Sequence, residues 1–160
     1  WKTSCYISSD NLSYYITSIS VTGTNLEIKD EIHSDSSCNT DDGILASNFS
    51  SLTIGEERTY SSGSKGHRFT MNLDSIKYTP ETTAAVISLL SDRTCGYGDW
   101  ALNTEKDITG NTCGSTIIPS ANTTFLSQYK LVGNNFYLGT FGTTGSYPDG
   151  VSNEPAYIKQ

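Results

Sequence analysis

The sequence predicts a nearly all-β chain, an antiparallel up-and-down barrel of eight or nine strands with one short helix. Three observations support this fold class. Apolar and polar residues alternate in successive runs, turn-forming residues separate these runs, and only one segment has helical spacing. A two-sheet β-sandwich fits the same pattern. We favour closure into a barrel because it removes the exposed sheet edges that a lysine-poor sequence has few charges to protect.

The first three strands are predicted from alternation. Apolar or β-branched residues occupy every second position from 15 to 21, and Thr22-Gly23-Thr24-Asn25 is typical of a turn. Alternation then resumes from Leu26 to Ile32, which completes a hairpin. The polar loop 33–43 carries Cys38, and the region from 44 to 54 alternates again.

The fourth strand contains a change of parity. Phe69, Met71 and Leu73 share one face, whereas Ile76 and Tyr78 fall on the opposite parity. A one-residue bulge near Asp74 and Ser75 would bring them back to one face, and barrels commonly bend at such places.

One helix is predicted after this strand. Thr79-Pro80-Glu81 has a capping threonine, a proline suited to the first helical position and an acid in the first turn. The helix should end near Ser91 or Asp92. A short strand is predicted in the segment 96–102, and further strands over 125–132, 136–141 and 156–159.

Length and charge define the broad class. The chain has 160 residues, which suits a single domain over residues 1–160. Its net charge is −7 with a pI near 4.6, and its basic residues are scattered singly, so we expect no nucleic-acid partner. No apolar stretch is long enough to cross a bilayer. Membrane attachment is expected only through an anchor upstream of this chain.

The four cysteines are interpreted as two disulfides. No CxxC pair occurs, so zinc-ribbon and thioredoxin interpretations lack their motif. Three pairings are possible, and we favour Cys5–Cys38 with Cys95–Cys113 because each joins segments that are neighbours in the proposed order. Two disulfides indicate an oxidising compartment, so a secreted, periplasmic or cell-surface location is expected.

Several motifs resemble those of known barrel domains. With Trp1 beside the first strand, hairpins throughout and Tyr157-Ile158-Lys159 as the closing strand, the outline resembles lipocalin-like (calycin) barrels. Four further motifs resemble a group of uncharacterised secreted or lipid-anchored bacterial barrel domains: Trp1 with Cys5, Asp35 with Cys38, Cys95-Gly96-Tyr97-Gly98-Asp99-Trp100 with Lys106-Asp107-Ile108-Thr109-Gly110, and Asn135-Phe136-Tyr137-Leu138-Gly139. The lipocalin resemblance implies transport or storage of small apolar molecules.

Aromatic residues are the candidate ligand contacts. The chain has ten tyrosines and two tryptophans, more than a core of this size needs. Side chains that suit a cavity or a sugar-binding surface are Tyr14, Tyr97, Trp100, Tyr129 and Tyr137. Ordinary barrel packing is the alternative explanation for each of them.

A calcium loop is the best metal candidate. Oxygen-bearing side chains recur at every second residue of this loop, as in calcium loops: Asp35, Ser37, Asn39 and Asp41. Asp35, Asn39 and Asp41 are the candidate ligands. An EF-hand would need glycine at its sixth position and an acid at its twelfth, where this chain has Thr40 and Ala46. We therefore favour a solvated loop tethered by a disulfide, and expect no metal and no cofactor.

Three function classes remain from the sequence. We expect an extracellular or cell-surface binding module for a small hydrophobic or amphipathic ligand. The alternative is a structural or adhesive surface or filament subunit without a small ligand, which predicts a filled barrel. A hydrolase is the third class, and would have to use His33 or His67, or a carboxylate pair drawn from Glu31, Asp99, Glu105 and Asp107. None of these belongs to a recognisable motif, so we expect no enzyme.

Overall fold

In the computed structural model the chain forms one curled antiparallel sheet with a small lobe inserted between two of its strands. The structure describes residues 1–8, 12–60, 63, 65–143, 147, 151 and 155–160. The strands are β1 (Tyr6–Ile7), β2 (Tyr14–Thr22), β3 (Asn25–His33), β4 (Asp41–Thr59), β5 (Lys65–Pro80), β6 (Lys106–Asp107), β7 (Thr112–Cys113), β8 (Thr116–Ile117), β9 (Thr124–Val132), β10 (Asn135–Leu138) and β11 (Tyr157–Ile158). Helix α1 spans Thr83–Ser91, and a 3₁₀ turn spans Thr94–Gly96.

The sheet curls until its two edges meet. Eight strands follow in the order β1-β2-β3-β4-β5-β9-β10-β11, with β6 paired to the end of β5. Lys2 pairs with Ser18 of β2 on one side and with Ile158 of β11 on the other. The Lys2 N–H donates to the Ile158 carbonyl at 2.9 Å, and the Ile158 N–H donates back at 2.8 Å. The predicted all-β, barrel-like fold with one short helix is therefore confirmed.

The predicted bulge in β5 is present. The pairing of β4 with β5 passes from Asn48 opposite Ser75 to Phe49 opposite Leu73, which leaves Asp74 as the extra residue. A second irregularity lies in β4, where the register shifts between Ser50 and Thr53. Bulges of this kind bend a strand and increase its twist, which helps a sheet to curl.

The helix begins later than predicted. Pro80 is the last residue of β5, and Thr82 is the N-cap, whose hydroxyl accepts a hydrogen bond from the Ala85 N–H at 3.0 Å. Pro80 pairs with Gly43 at the end of β4, so the sheet extends over the residues that the sequence assigned to the helix start. The helix ends at Ser91, as expected.

The strand predicted over residues 96–102 is wrong. Arg93, Cys95 and Gly96 all have positive φ, and the segment continues as irregular backbone. These residues turn the chain away at the start of the segment, and residues 96–102 pair with none of the described strands. Trp100 is nevertheless buried, at 4% exposure, within the lobe formed by residues 81–123.

The barrel has two unlike ends. The end that carries the β2–β3, β4–β5 and β9–β10 turns is called the open end. Two of these turns are tight and contain Gly23 (φ 62°) and Gly133 (φ 60°), whose left-handed conformation favours glycine. The opposite end, where the β3–β4 loop and the lobe lie, is called the lobe end. Between them the barrel core consists of Ile19, Leu26, Ile28, Phe49, Phe69, Met71, Leu73 and Tyr157.

Both disulfides lie at the lobe end. Cys5–Cys38 joins the segment before β1 to the β3–β4 loop, and Cys95–Cys113 joins two segments within the lobe. These are the pairings that the sequence analysis favoured. Such bridges are typical of proteins that fold in an oxidising compartment.

Candidate functional site

An apolar cavity opens at the open end of the barrel. Its volume is about 200 Å³. The residues that line it are Trp1, Ile19, Val21, Leu26, Leu52, Ile54, Phe69, Tyr129, Leu131 and Phe136. Three of them, Val21, Ile54 and Leu131, are 44%, 55% and 60% exposed, so the cavity has an apolar rim that meets solvent. Pockets with these properties are typical of sites for small molecules.

One wall of the cavity is aliphatic. Alternation along β2 points Ile19 and Val21 inward, and Leu26 of β3 is the cross-strand partner of Val21. The irregularity in β4 adds Leu52, whose N–H donates to the Thr24 carbonyl in the β2–β3 turn at 2.9 Å. Leu52 and Ile54 therefore both line the cavity, and the bulge is a feature of the site as well as of the curvature.

The other wall carries a row of aromatic rings. The ring centroids of Trp1 and Phe136 lie 5.5 Å apart, those of Phe136 and Tyr129 5.4 Å, and those of Tyr129 and His67 5.5 Å. The interplanar angles along this row are 33°, 24° and 22°, so the Trp1–Phe136 pair is tilted and the other two pairs are stacked. Trp1, Phe136 and Tyr129 line the cavity, and His67 extends the row beyond the lining. We call these four residues the aromatic row. They come from the N-terminal segment, β10, β9 and β5.

Only one of the predicted ligand contacts lines this cavity. Tyr129 does so, and partial burial raises the pKa of its hydroxyl. Tyr14 is the first residue of β2, opposite His33 at the lobe end. Tyr137 of β10 has the Lys130 Nζ 5.2 Å from its ring centroid and lies at the parity opposite to Phe136.

The other two predicted contacts belong to the lobe. The Trp100 ring makes edge contacts with Tyr78 at 5.9 Å and Tyr97 at 5.6 Å between centroids. Its indole N–H donates to the Thr94 carbonyl at 3.1 Å, and the Tyr97 hydroxyl donates to the Asp107 carbonyl at 2.6 Å. Both side chains therefore have packing partners at the lobe end, away from the cavity.

Sequence reasoning missed most of the lining residues. Trp1, Phe69 and Phe136 contribute aromatic surface, and the aliphatic residues complete the enclosure. The signal that could have found them is alternation, which indicates the inward-facing residues of β2 and β5. Alternation does not indicate which inward-facing residues of different strands lie at the same level along the barrel axis.

The interior near the lobe end contains polar groups. The Thr17 hydroxyl donates to the Asp30 carboxylate at 2.5 Å, and the Tyr6 hydroxyl lies 2.8 Å from the Thr17 hydroxyl. Burial raises the pKa of Asp30 above its usual range, although the hydrogen bond from Thr17 acts in the opposite direction. Burial also raises the pKa of Tyr157, and raises that of Tyr78 to about 12. None of these residues lines the cavity.

The two histidines lie at opposite ends of the barrel. His33 is buried at the lobe end, with its Nδ1 3.1 Å from Asp41 Oδ1. His67 begins the aromatic row near the open end, with its Nδ1 3.1 Å from the Gly55 carbonyl. Neither lies near the other, so the two do not form one site.

The carboxylates considered for hydrolysis each have a partner outside the cavity. Glu31 contacts Lys2 at 2.9 Å, Asp99 contacts Lys106 at 2.8 Å, Glu105 contacts Lys77 at 2.8 Å, and Asp107 accepts from the Thr109 N–H at 2.9 Å. None of the four lines the cavity.

In the predicted calcium loop, the carboxylate of Asp35 is hydrogen-bonded to backbone N–H groups of the loop itself. The Asp35 carboxylate accepts hydrogen bonds from the N–H groups of Ser37 at 2.9 Å, Asn39 at 3.1 Å and Thr40 at 2.6 Å. These bonds fold the loop beside Cys38 and contribute to a lowered pKa of Asp35. Asp41 faces His33. Among the described residues, no group of three or more His, Cys, Asp or Glu is arranged to hold a metal ion.

Comparison with known proteins assigns no family to the chain. No protein family model matches it, and a search of the curated proteins found no match. Within the described part of the chain, no helix combines the length and apolar character needed to span a membrane.

Proposed function

We propose that this protein binds a small hydrophobic or amphipathic molecule in the cavity at the open end, without converting it chemically. The proposal places the protein with the lipocalin-like barrels that its sequence resembles. The observation that carries it is the 200 Å³ cavity with an almost wholly apolar lining and an exposed apolar rim. A ligand seated there would remove both its own apolar surface and that of Val21, Ile54 and Leu131 from water, at about 25 cal/mol per Å².

The absence of catalysis is part of the proposal. General acid–base or nucleophilic catalysis needs a titratable group within hydrogen-bond reach of the reacting atoms. Tyr129 is the single lining residue with an ionisable side chain, and no described histidine or carboxylate lines the cavity. The site is therefore suited to holding a ligand.

The cavity also favours binding over the structural alternative. An adhesive or filament subunit needs a contact surface but no internal space, and a filled barrel would be more stable because voids lose packing contacts. The void at the open end would therefore serve no purpose in a purely structural subunit. Sedimentation of the purified protein as a defined oligomer, without probe binding, would support that alternative.

A paired substitution at the rim tests the proposal. Leu131 lines the cavity and Val132 beside it does not, yet both are similarly exposed, at 60% and 57%. L131D places a charge at the apolar mouth, where a bound ligand would desolvate it, whereas V132D places the same charge outside the cavity. We expect cyclohexylmethanol, titrated into the full chain and followed by methyl NMR shifts, to bind the wild type and V132D alike. L131D should weaken binding by roughly tenfold, about 1.4 kcal/mol.

Two results would count against this function. One is the absence of saturable shifts at cavity methyl groups in the wild type. The other is equal weakening by L131D and V132D, which would indicate a general effect of charge instead of a site at the mouth.

The location and partners follow as further parts of the proposal. We propose that the protein acts in a secreted, periplasmic or cell-surface setting, with a small molecule and not a nucleic acid as its partner. The two disulfides and the net charge of −7 support this. Intact mass of the protein isolated from its source, compared with the reduced chain, should be lower by two hydrogens for each disulfide. Native mass spectrometry of the same sample would detect a ligand that purifies with it.

A further inference from the structure

We infer that the ligand is a compact aromatic compound, with one substituted ring or two fused rings, and that the aromatic row selects it over aliphatic molecules of the same size. The inference rests on the proposed function and specifies the ligand class for the same cavity. Its basis is the difference between the two walls of the cavity, one aromatic and one aliphatic.

The size of the cavity limits the ligand. An engineered apolar cavity of about 150 Å³ in another protein stays dry and takes up benzene. The cavity here, at about 200 Å³, has room for a ring with a short substituent or for a second fused ring. A long acyl chain or a sterol would extend far beyond it.

The two central rings of the aromatic row are Tyr129 and Phe136. Tyr129 has Phe136 on one side and His67 on the other, and Phe136 lies between Tyr129 and Trp1. Each of the two central rings therefore has a neighbouring ring on either side. In the inferred binding mode it is the edges of Tyr129 and Phe136 that contact the ligand.

Ring edges discriminate between aromatic and aliphatic ligands. The edge of an aromatic ring carries partial positive charge and its face partial negative charge, so edge-to-face contact is favourable beyond the area that it buries. An aromatic ligand can present a π face to the edges of Tyr129 and Phe136, whereas a saturated ring has none. The aliphatic wall of Ile19, Leu26 and Leu52 contributes dispersion to either ligand and so does not discriminate.

The lining also positions any polar group of the ligand. The Tyr129 hydroxyl and the Trp1 indole N–H are the polar side-chain groups among the described lining residues. A hydroxyl or carboxylate buried deeper, against Ile19 and Phe69, would lose its hydrogen bonds to water without replacement. The polar substituent therefore lies at the rim, beside Val21 and Leu131, where solvent reaches it.

A matched pair of probes tests this preference. Benzyl alcohol and cyclohexylmethanol have the same carbon skeleton and the same hydroxyl, and differ in whether the ring is aromatic. Their affinities for the full chain are measured by methyl NMR titration, and each is corrected for the compound's partition between water and cyclohexane. We expect benzyl alcohol to bind roughly two- to tenfold more tightly after this correction, the range for one or a few edge-to-face contacts.

Single ring removals identify the source of the preference. F136L and Y129L each remove one of the two central rings whose edges contact the ligand in the inferred mode. Each should reduce the corrected ratio of affinities towards one while cyclohexylmethanol still binds. Y129L keeps the test available if F136L fails to fold. F141L is the control, because Phe141 contacts Phe49, Phe69 and Phe125 but does not line the cavity. F141L should leave the ratio unchanged.

The outcomes separate this inference from the proposed function. Saturable binding of both probes with equal corrected affinities, or a preference that survives both F136L and Y129L, would overturn the aromatic selection and leave the cavity as a binding site. Binding of neither probe would overturn the proposed function itself, and the inference with it.

Discussion

The open end and the lobe end of this barrel are built by different means. The lobe end has both disulfides, the inserted lobe and the hydrogen-bonded polar groups around Asp30. The open end has tight turns, no disulfide and half-exposed apolar side chains around a void. One end is cross-linked and covered, while the other leaves apolar surface in contact with water.

This difference teaches how a small barrel can contain a cavity. An apolar void loses packing contacts and an exposed apolar rim loses burial, so both lower stability. Disulfides and a second apolar cluster supply stability elsewhere in the fold, at positions where they do not obstruct the mouth. The Trp100 cluster of the lobe and the aromatic row at the open end thus use similar residue types in two places, for packing in the lobe and, in the proposed function, for recognition at the cavity.

The largest effect is expected for Trp100. W100A should lower the free energy of unfolding by about 3–5 kcal/mol, because it removes a large buried ring from the cluster with Tyr78 and Tyr97. L131D at the rim, by contrast, should change stability by about 0.5 kcal/mol or less. Urea unfolding followed by far-UV circular dichroism measures both. Similar costs for the two variants would mean that the two ends do not divide packing from recognition.

The disulfides should rank next. Replacing either pair by alanine should lower stability by about 3 kcal/mol, since each bridge limits the conformations of the unfolded chain. The bridged cysteines are 33 residues apart in Cys5–Cys38 and 18 in Cys95–Cys113, so the first pair should matter more by about 0.5 kcal/mol.

Probe binding provides the comparison for the disulfide variants. Cyclohexylmethanol affinity should change by less than about twofold in either double variant under conditions where the fold remains, because both bridges lie at the lobe end. A large loss of affinity in a folded variant would show that the lobe end shapes the cavity.

The smallest effect concerns Asp30 and depends on pH. Because burial raises its pKa in the folded state, the folded protein binds this proton more tightly than the unfolded chain does. Stability contributed by the protonated carboxyl is therefore complete below the unfolded pKa near 3.9 and is lost as pH rises through the folded pKa. D30N has no charge to bury, and its amide oxygen can still accept from Thr17. The variant should gain stability relative to the wild type as pH rises from 3 to 7 in urea unfolding; a difference that does not change with pH would contradict this.

Local rules predicted most of the barrel. Alternation predicted the positions of β2 and β3, and the change of parity after Leu73 correctly indicated the extra residue at Asp74. The predicted helix start at Thr79 was wrong, because Thr82 has the same hydroxyl and is the N-cap in the structure. Pairing of Pro80 with Gly43 decided in favour of Thr82, and that pairing is a contact between distant residues.

The candidate site was less accessible to sequence reasoning. Tyrosine and tryptophan are amphipathic and serve equally in a packed core and a ligand site, so residue type did not separate Trp100 from Tyr129. The two residues differ in their position along the barrel axis. Tyr129 lies two residues from the rim residue Leu131, whereas Trp100 lies in an inserted lobe whose path depends on the positive φ of Cys95 and Gly96.

The sequence by itself determined the all-β class, the inward faces of β2 and β3 and the expectation of two disulfides, because these depend on local alternation and on cysteine chemistry. Only the tertiary structure decided that the edges meet at Lys2 and Ile158, that the lobe packs at one end, and that four rings from separate segments of the chain come together beside a cavity. The physical reason is that register and curvature set which inward residues share a level. They arise from the bulges and pairings of the whole sheet, so no single segment contains them.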